Sequence, residues 1–197
     1  MNYRTQIVSS LLDIGRAAWD GLALAQARPN PFLSYAFLDA LHESGSAAVD
    51  AGWQPQFIAL WDGAQLAAAL PLYVKMHSYG EYVFDWAWAD AYERNGLDYY
   101  PKLLSAIPFT PVTGPRLLAV DDAARAALVE VLVTTQQASP VSSTHILYPP
   151  QEQAQMLADA GYLLRKGVQF HWLNQGYKNF DEFLATLEQK KRKNIRA

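Results

Sequence analysis

Cysteine is absent from the 197 residues. That excludes disulfides, thiol nucleophiles and thiolate metal sites, and it fits a cytoplasmic protein. Histidine occurs four times, too sparsely to assemble a serine-histidine-acid triad. Neither an HExxH nor a paired-cysteine metal spacing occurs. No apolar run is long enough to span a bilayer. The N-terminus, MNYRTQIVSSLLDIGRAAW, lacks the basic region and continuous apolar stretch of a signal peptide. Charged residues make up only 18% of the chain and hydrophobic ones 51%. The chain is therefore globular, and long enough for one large domain or two small ones.

The net charge of −3 hides an asymmetry. Lys190, Lys191, Arg192, Lys193 and Arg196 crowd the last eight residues; without these five, 11 basic residues face 19 acids, a net of −8 for residues 1–189. The acidic body argues against nucleic-acid binding there. The basic tail suits an RNA or a phosphate, or equally the solvated end of a helix.

What the chain has in abundance is aromatic side chains, and they concentrate in HSYGEYVFDWAWADAYERNGLDYY, residues 77–100. Glu81, Asp85, Asp90, Glu93 and Asp98 are interleaved with them. At period two, Tyr82, Phe84, Trp86 and Trp88 share one face; at helical spacing, Glu81 and Asp85 stack one turn apart. Either way two carboxylates lie side by side among rings. Low polarity and a like-charged neighbour both raise a carboxylate pKa toward the range of a general base. Asp85, between Phe84 and Trp86, is expected to be the more desolvated acid, with Glu81 as its support. An amphipathic segment with its acids in water is the plainer reading of the same pattern.

Along the chain, Arg4–Leu11 reads as a strand and Asp13 as the cap of a short helix through Leu24. Asn30-Pro31 opens a second helix, in which Leu33, Phe37 and Leu41 recur every four residues and Gly45 marks the end. Gln56–Trp61, Asp62-Gly63 and Gln65–Met76 form a hairpin signature. Its second strand is apolar on both faces and hence central, with a bulge or splay at Pro71. Residues 101–106, PKLLSA, read as a helix, followed by a proline-rich segment and a strand at LLAV. Asp121 or Asp122 caps a helix with Ala124, Leu128, Val131 and Leu132 inward. Ser143–Tyr148 is a strand, Pro149-Pro150 starts a helix that ends at Gly161, and Leu163–Leu173 alternates as a strand. Asn179 with Glu182 resembles a capping box opening a helix through the basic tail. This order predicts an α/β (mixed α+β) fold, a central mixed sheet flanked by helices. The same order describes the N-acetyltransferase-like (GNAT) fold.

The segments LPLYVKMHSYGEYVFDWAWADAYERNG, YYPKLL, PFTPVTGPRLL, QFHWLNQGY and KKRKNIR resemble the FemAB-like family of peptidoglycan-biosynthesis acyltransferases over nearly the whole chain. The resemblance implies GNAT-type folds in tandem and transfer of an acyl or aminoacyl group to an amine, with acyl-CoA or aminoacyl-tRNA as donor. Members run on past the basic motif, so residues 1–178 are expected to form a GNAT-like domain. Residues 179–197 would be a helix with a basic tail, the start of a second half. The glycine-rich pyrophosphate loop of GNAT enzymes is missing. Its nearest substitute, Thr113-Gly114-Pro115-Arg116, has one glycine and a proline that removes a backbone donor.

The catalytic candidates are Asp85 and Glu81 as proton acceptors and His171 as an oxyanion donor. His77 and Ser78, which follow a buried strand, and the rings of Tyr79, Trp86, Trp88 and Tyr92 are candidates for binding substrate. Thr110 and Asn174 join them, as does Arg116, whose guanidinium suits a phosphate or carboxylate. Arg192 and Asn194, in the basic motif, are the candidate donor contacts, with tRNA as a possible partner. The acceptor is expected to be a small-molecule or peptide amine. The alternative is a non-catalytic module that binds a cell-wall peptide or sugar on its aromatic-acidic groove.

Overall fold

The computed structural model describes residues 3–196. The chain divides into two compact units, Met1–Leu164 and Arg165–Ala197.

In the first unit the strands are β1 (Arg4–Val8), β2 (Trp53–Pro55), β3 (Phe57–Asp62), β4 (Gln65–Leu70), β5 (Tyr73–Lys75), β6 (Lys102–Ser105), β7 (Leu118–Ala119) and β8 (Thr144–Ile146). The helices are α1 (Arg16–Leu24), α2 (Tyr35–Glu43), α3 (Trp86–Arg94), α4 (Asp122–Ala138) and α5 (Gln151–Asp159). The fold is mixed α/β, as expected, but it holds two four-stranded sheets rather than one. The first has the order β1-β3-β4-β7 and is antiparallel throughout. The second has the order β2-β5-β6-β8 and is mixed, because β6 and β8 run parallel.

One hairpin passes through both sheets. Its arms cross from the first sheet to the second at Gln56 and at Pro71-Leu72, where Gln56 N–H donates to the Leu72 carbonyl at 2.8 Å. Proline has no N–H for a ladder, so the arm that carries Pro71 changes sheets there. The expected splay is found, and β4 and β5 are each an inner strand of their sheet.

The first sheet is buried on both faces, which is why β3 and β4 read as continuous apolar runs. Phe57, Ala59 and Trp61 join one core with Trp19 and Leu22 of α1 and Leu38 of α2. The intervening Ile58 and Leu60 join a second core with Leu128 and Leu132 of α4 and Leu157 of α5. The small residues Ala67, Ala68 and Ala69 let α1 and α4 both approach β4. Gln26 closes the α1 side by donating to the carbonyls of Leu22 and Ala119.

Several element boundaries differ from the sequence expectation. The first strand stops at Val8, and α1 starts after Gly15, not from an Asp13 cap. Asn30-Pro31 opens a single 3-10 turn; α2 is capped instead by Ser34, whose hydroxyl accepts from Phe37 N–H. The segment expected as a helix from Pro101 contains β6, all four residues of which are buried. Its flanking strands β5 and β8 supply lateral hydrogen bonds that its local helix preference cannot match.

The expected strand Leu163–Leu173 is not formed. Val168, Phe170, Trp172 and Leu173 are exposed, and no paired strand edge flanks them among the described residues. Alternation creates a strand only where a neighbouring edge accepts it. The expected terminal helix is two: α6 (Phe180–Ala185) and α7 (Gln189–Arg196). Asn179 caps α6 by accepting from Glu182 N–H at 2.9 Å, and the Glu182 carboxylate reaches back to Lys178 N–H.

Amide exchange should be slowest in β4 and β5, because both are inner strands under covered faces. Exchange of residues 65–75 as fast as that of residues 163–173 would contradict the sheet order.

Candidate functional site

A lysine organises the first unit's polar centre. Lys102 opens a buried strand that continues with Leu103, Leu104 and Ser105, and its side chain is fully buried. A lone buried ammonium costs several kcal/mol unless it is paired. Lys102 Nζ donates to Asp85 Oδ2 at 2.7 Å, to Ser78 Oγ at 2.8 Å and to Glu81 Oε2 at 2.9 Å. Tyr99 donates its hydroxyl to the same Asp85 oxygen at 2.7 Å, and Ser78 and Tyr100 share a hydrogen bond of 2.8 Å.

The acids arrive from the loop between β5 and α3. Glu81 sits between two residues of positive φ, Gly80 at 81° and Tyr82 at 58°. Only glycine fits at position 80, since an added Cβ would come within 2.5 Å of the Phe109 ring. The loop is pinned by Phe109 N–H to the Gly80 carbonyl and by Tyr148 hydroxyl to the Tyr82 carbonyl. Phe109 and Tyr148 themselves have positive φ. Three non-glycine residues in the left-handed region thus meet around one acid, and such strain clusters at functional sites. Asp85 occupies the N-cap position of α3 but makes no capping bond, because its carboxylate is committed to Lys102 and Tyr99.

A second buried lysine stands beside the first. Trp53, Lys75 and Lys102 are successive cross-strand partners on β2, β5 and β6. The Lys75 ammonium lies 3.5 Å from the centre of the Trp53 ring and donates to the Tyr79 carbonyl at 3.2 Å. Burial lowers its pKa from 10.5 to about 7, against the opposing pull of Glu81. Glu81 is raised above the usual carboxylate range, chiefly by burial, which outweighs Lys102. Burial also pushes Asp85 up, but hydrogen bonds from Lys102, Tyr99 and Ser78 override it and leave its pKa lowered. Asp85 is buried at least as deeply as Glu81, yet the two pKa values move in opposite directions, Glu81 up and Asp85 down, because Asp85 receives more hydrogen-bond donors. Glu81 Oε1 and Asp85 Oδ1 are buried without a hydrogen-bond partner.

The other sequence candidates are placed as follows. Ser78, Glu81 and Asp85 converge on Lys102. His77 packs against Gly52, and its Nδ1 accepts from Tyr79 N–H. Tyr79, Trp86 and Trp88 are exposed, with Tyr79 and Trp86 edge to face at 5.5 Å. Tyr92 packs edge to face on Tyr99. Thr110 donates to the Pro108 carbonyl. Arg116 is fully buried, not presented to a ligand: its guanidinium donates to the carbonyls of Val112, Gly114 and Pro115 and clamps their loop. Burial lowers its pKa to about 10.

His171 and Asn174 belong to the second unit. His171 is exposed, and Asn174 Oδ1 accepts from Gly176 and Tyr177 N–H in a local turn. On α7, Arg192 donates to the Ala185 carbonyl and Arg196 pairs with Asp181, while Asn194 is exposed. Residues 165–197 carry eight Lys or Arg against three Asp or Glu, a net of +5; residues 1–164 carry eight against 16, a net of −8. Lys75, Lys102 and Tyr99 were missed in the sequence. The available signal was a lone lysine in each of two apolar strand segments.

The FemAB-like family model, described as peptidoglycan biosynthesis/recognition, matches residues 10–197, and the chain belongs to that family. No curated protein and no solved structure matches it. No helix among the described residues is long and apolar enough to cross a membrane.

Two outcomes are expected. Lys102→Met should lower the unfolding free energy by about 3–5 kcal/mol, the usual cost of stranding buried partner charges; urea titration measures it. Lys75 has a depressed folded-state pKa, so between about 7 and 10.5 the unfolded chain binds the extra proton. Its contribution to stability therefore rises as pH climbs through that window. The gain in urea midpoint from pH 7 to about pH 9.5 should be larger in the wild type than in Lys75→Met.

Proposed function

We propose that this FemAB-like protein transfers an acyl or aminoacyl group to a primary amine, and that Glu81 accepts the amine's proton. The observation that carries this reading is the split pair of buried acids on Lys102. One carboxylate is held ionised by three donors, and the other is raised toward neutrality with a free oxygen. Such a divergence of two neighbouring carboxyls supports separate roles. Asp85 keeps Lys102 in place, and Glu81 is the titrating group.

In the step, the amine nitrogen attacks the acyl carbonyl carbon and a C–N bond forms. The proton leaves the nitrogen for Glu81 Oε1, the oxygen without a partner. The carbonyl's bond to the donor then breaks, a C–S bond for acyl-CoA or a C–O bond for aminoacyl-tRNA. The departing sulfur or oxygen takes up the proton that Glu81 received, which returns the carboxylate to its ionised form. The acceptor fits a peptide or cell-wall precursor with a free amine, in keeping with the family's description. Both donors carry phosphates, which the cationic α7, with Arg192 and Lys193, suits electrostatically.

A second reading rests on the exposed rings. Tyr79, Tyr82, Phe84, Trp86 and Trp88 all present more surface than large apolar side chains usually do, and such patches mark binding surfaces. A module that only binds cell-wall fragments would use them without chemistry.

The discriminating experiment incubates the protein with acetyl-CoA or a charged tRNA and a precursor peptide bearing a free amine, and follows the new amide by mass spectrometry. Glu81→Gln should cut the rate by about a hundredfold to ten-thousandfold, the range for losing a general base. A full rate in Glu81→Gln removes its role. Fragment binding lost in Trp86→Ala, with no amide formed from either donor, favours the binding module.

A further inference from the structure

Lys102 takes both carboxylates of the cluster and leaves one buried lysine over. Lys75 is fully buried, directly across the sheet from Lys102. Like charges directly opposite on paired strands repel, and a well-packed apolar side chain at such a place is often no less stable than a buried ion. Yet the position holds an amine whose contacts are a ring face and one backbone carbonyl. That carbonyl belongs to Tyr79, two residues before Glu81, so the same ammonium tethers the loop that delivers the acid. Of the two lysines, Lys75 is the one whose charge is not bonded to a carboxylate.

We propose that Lys75 is a positioning residue for Glu81, an internal proton-carrying group whose charge decides whether Glu81 stands ready to accept a proton. The proposal rests on the reading of Glu81 as the base. With its proton on, Lys75 favours the ionised Glu81; with it off, Glu81 keeps its own proton. The two groups influence each other in both directions: Glu81 supports the charged lysine, and the charged lysine lowers the acid. The pair therefore titrates as a unit. The groups that face it from the packed elements are Lys102 on β6, Asp85 at the head of α3 and His77 after β5. Tyr99 and Tyr148, preceding β6 and following β8, also feel the charge on Glu81. His77 feels the charge on Lys75 as well, so its imidazole is titrated by proton NMR in the same variants, while the other groups are common to all of them.

The test uses carbon-13 labelled glutamate in the 197-residue protein. The Glu81 carboxyl resonance is assigned by its disappearance in Glu81→Gln and is titrated in the wild type, Lys75→Met and Lys75→Arg. Lys75→Met removes the charge and should move the Glu81 midpoint up. Lys75→Arg keeps a permanent charge and should leave the midpoint no higher than in the wild type. The acid limb of the rate-pH profile for amide formation should move in the same direction in each variant. Circular dichroism monitors folding, and Lys75→Gln takes the place of Lys75→Met should the latter not fold. Equal Glu81 midpoints in all the folded proteins would overturn the proposal. A shifted midpoint with an unshifted rate profile, or with no transfer at all, would uphold the coupling of Lys75 to Glu81 while removing Glu81 as the base.

Discussion

The fold of the first unit turns on one requirement: the Lys102 ammonium is fully buried and has to be neutralised. Its strand is held on both edges, by β5 and by β8, so the lysine cannot swing out to water. The carboxylates have to come to it. Glu81 and Asp85 come from a loop some 20 residues earlier, Ser78 from the start of that loop after β5, and the Tyr99 hydroxyl from just before β6. The loop, the start of α3 and the approach to β6 are thus fixed by one charge. A buried pair of this kind adds little net stability compared with an apolar core. What it adds is a unique arrangement, since removing any partner strands the others.

The same arrangement separates the two acids. Asp85 has Lys102, Tyr99 and Ser78 on its side of the balance, so burial does not make it neutral. Glu81 has fewer donors and the same burial, so its proton is held more tightly. Tyr79 and Tyr82, its near neighbours in the chain, are exposed. The site is therefore a buried, rigid charge cluster in a segment that also carries an exposed aromatic surface. Rigidity comes from strands and from backbone strain at Tyr82, Phe109 and Tyr148, which the surrounding hydrogen bonds maintain. The second unit has a different character, with a net of +5, exposed rings and a cationic helix. Charge of opposite sign is thus segregated along the chain, acidic through residue 164 and basic after it.

Much of the fold was determined by local patterning. The hairpin between β3 and β4 (turning at Gly63-Ala64 rather than Asp62-Gly63, since Asp62 pairs with Gln65), the break at Pro71, the inward face of α4 and the Asn179 cap follow from turn chemistry, a missing N–H, helical period and a side-chain acceptor. Each acts within a few residues, so the sequence alone contains it. The acidic-aromatic stretch was likewise visible as a candidate site, and so were its two carboxylates and Ser78. Tertiary structure decided the rest. Whether PKLLSA is helix or strand depends on β5 and β8, whose hydrogen bonds come from distant residues. Whether Leu163–Leu173 is a strand depends on an available edge. Arg116 looked like a ligand-binding cation, and burial against its own loop's carbonyls made it a clamp. The ranking of Asp85 and Glu81 depended on how many donors each receives across the fold. Lys75 and Lys102 are 27 positions apart in the sequence and become neighbours only through strand register. Periodicity and capping are short-range, whereas desolvation and charge pairing are set by whatever the folded chain brings within a few ångströms.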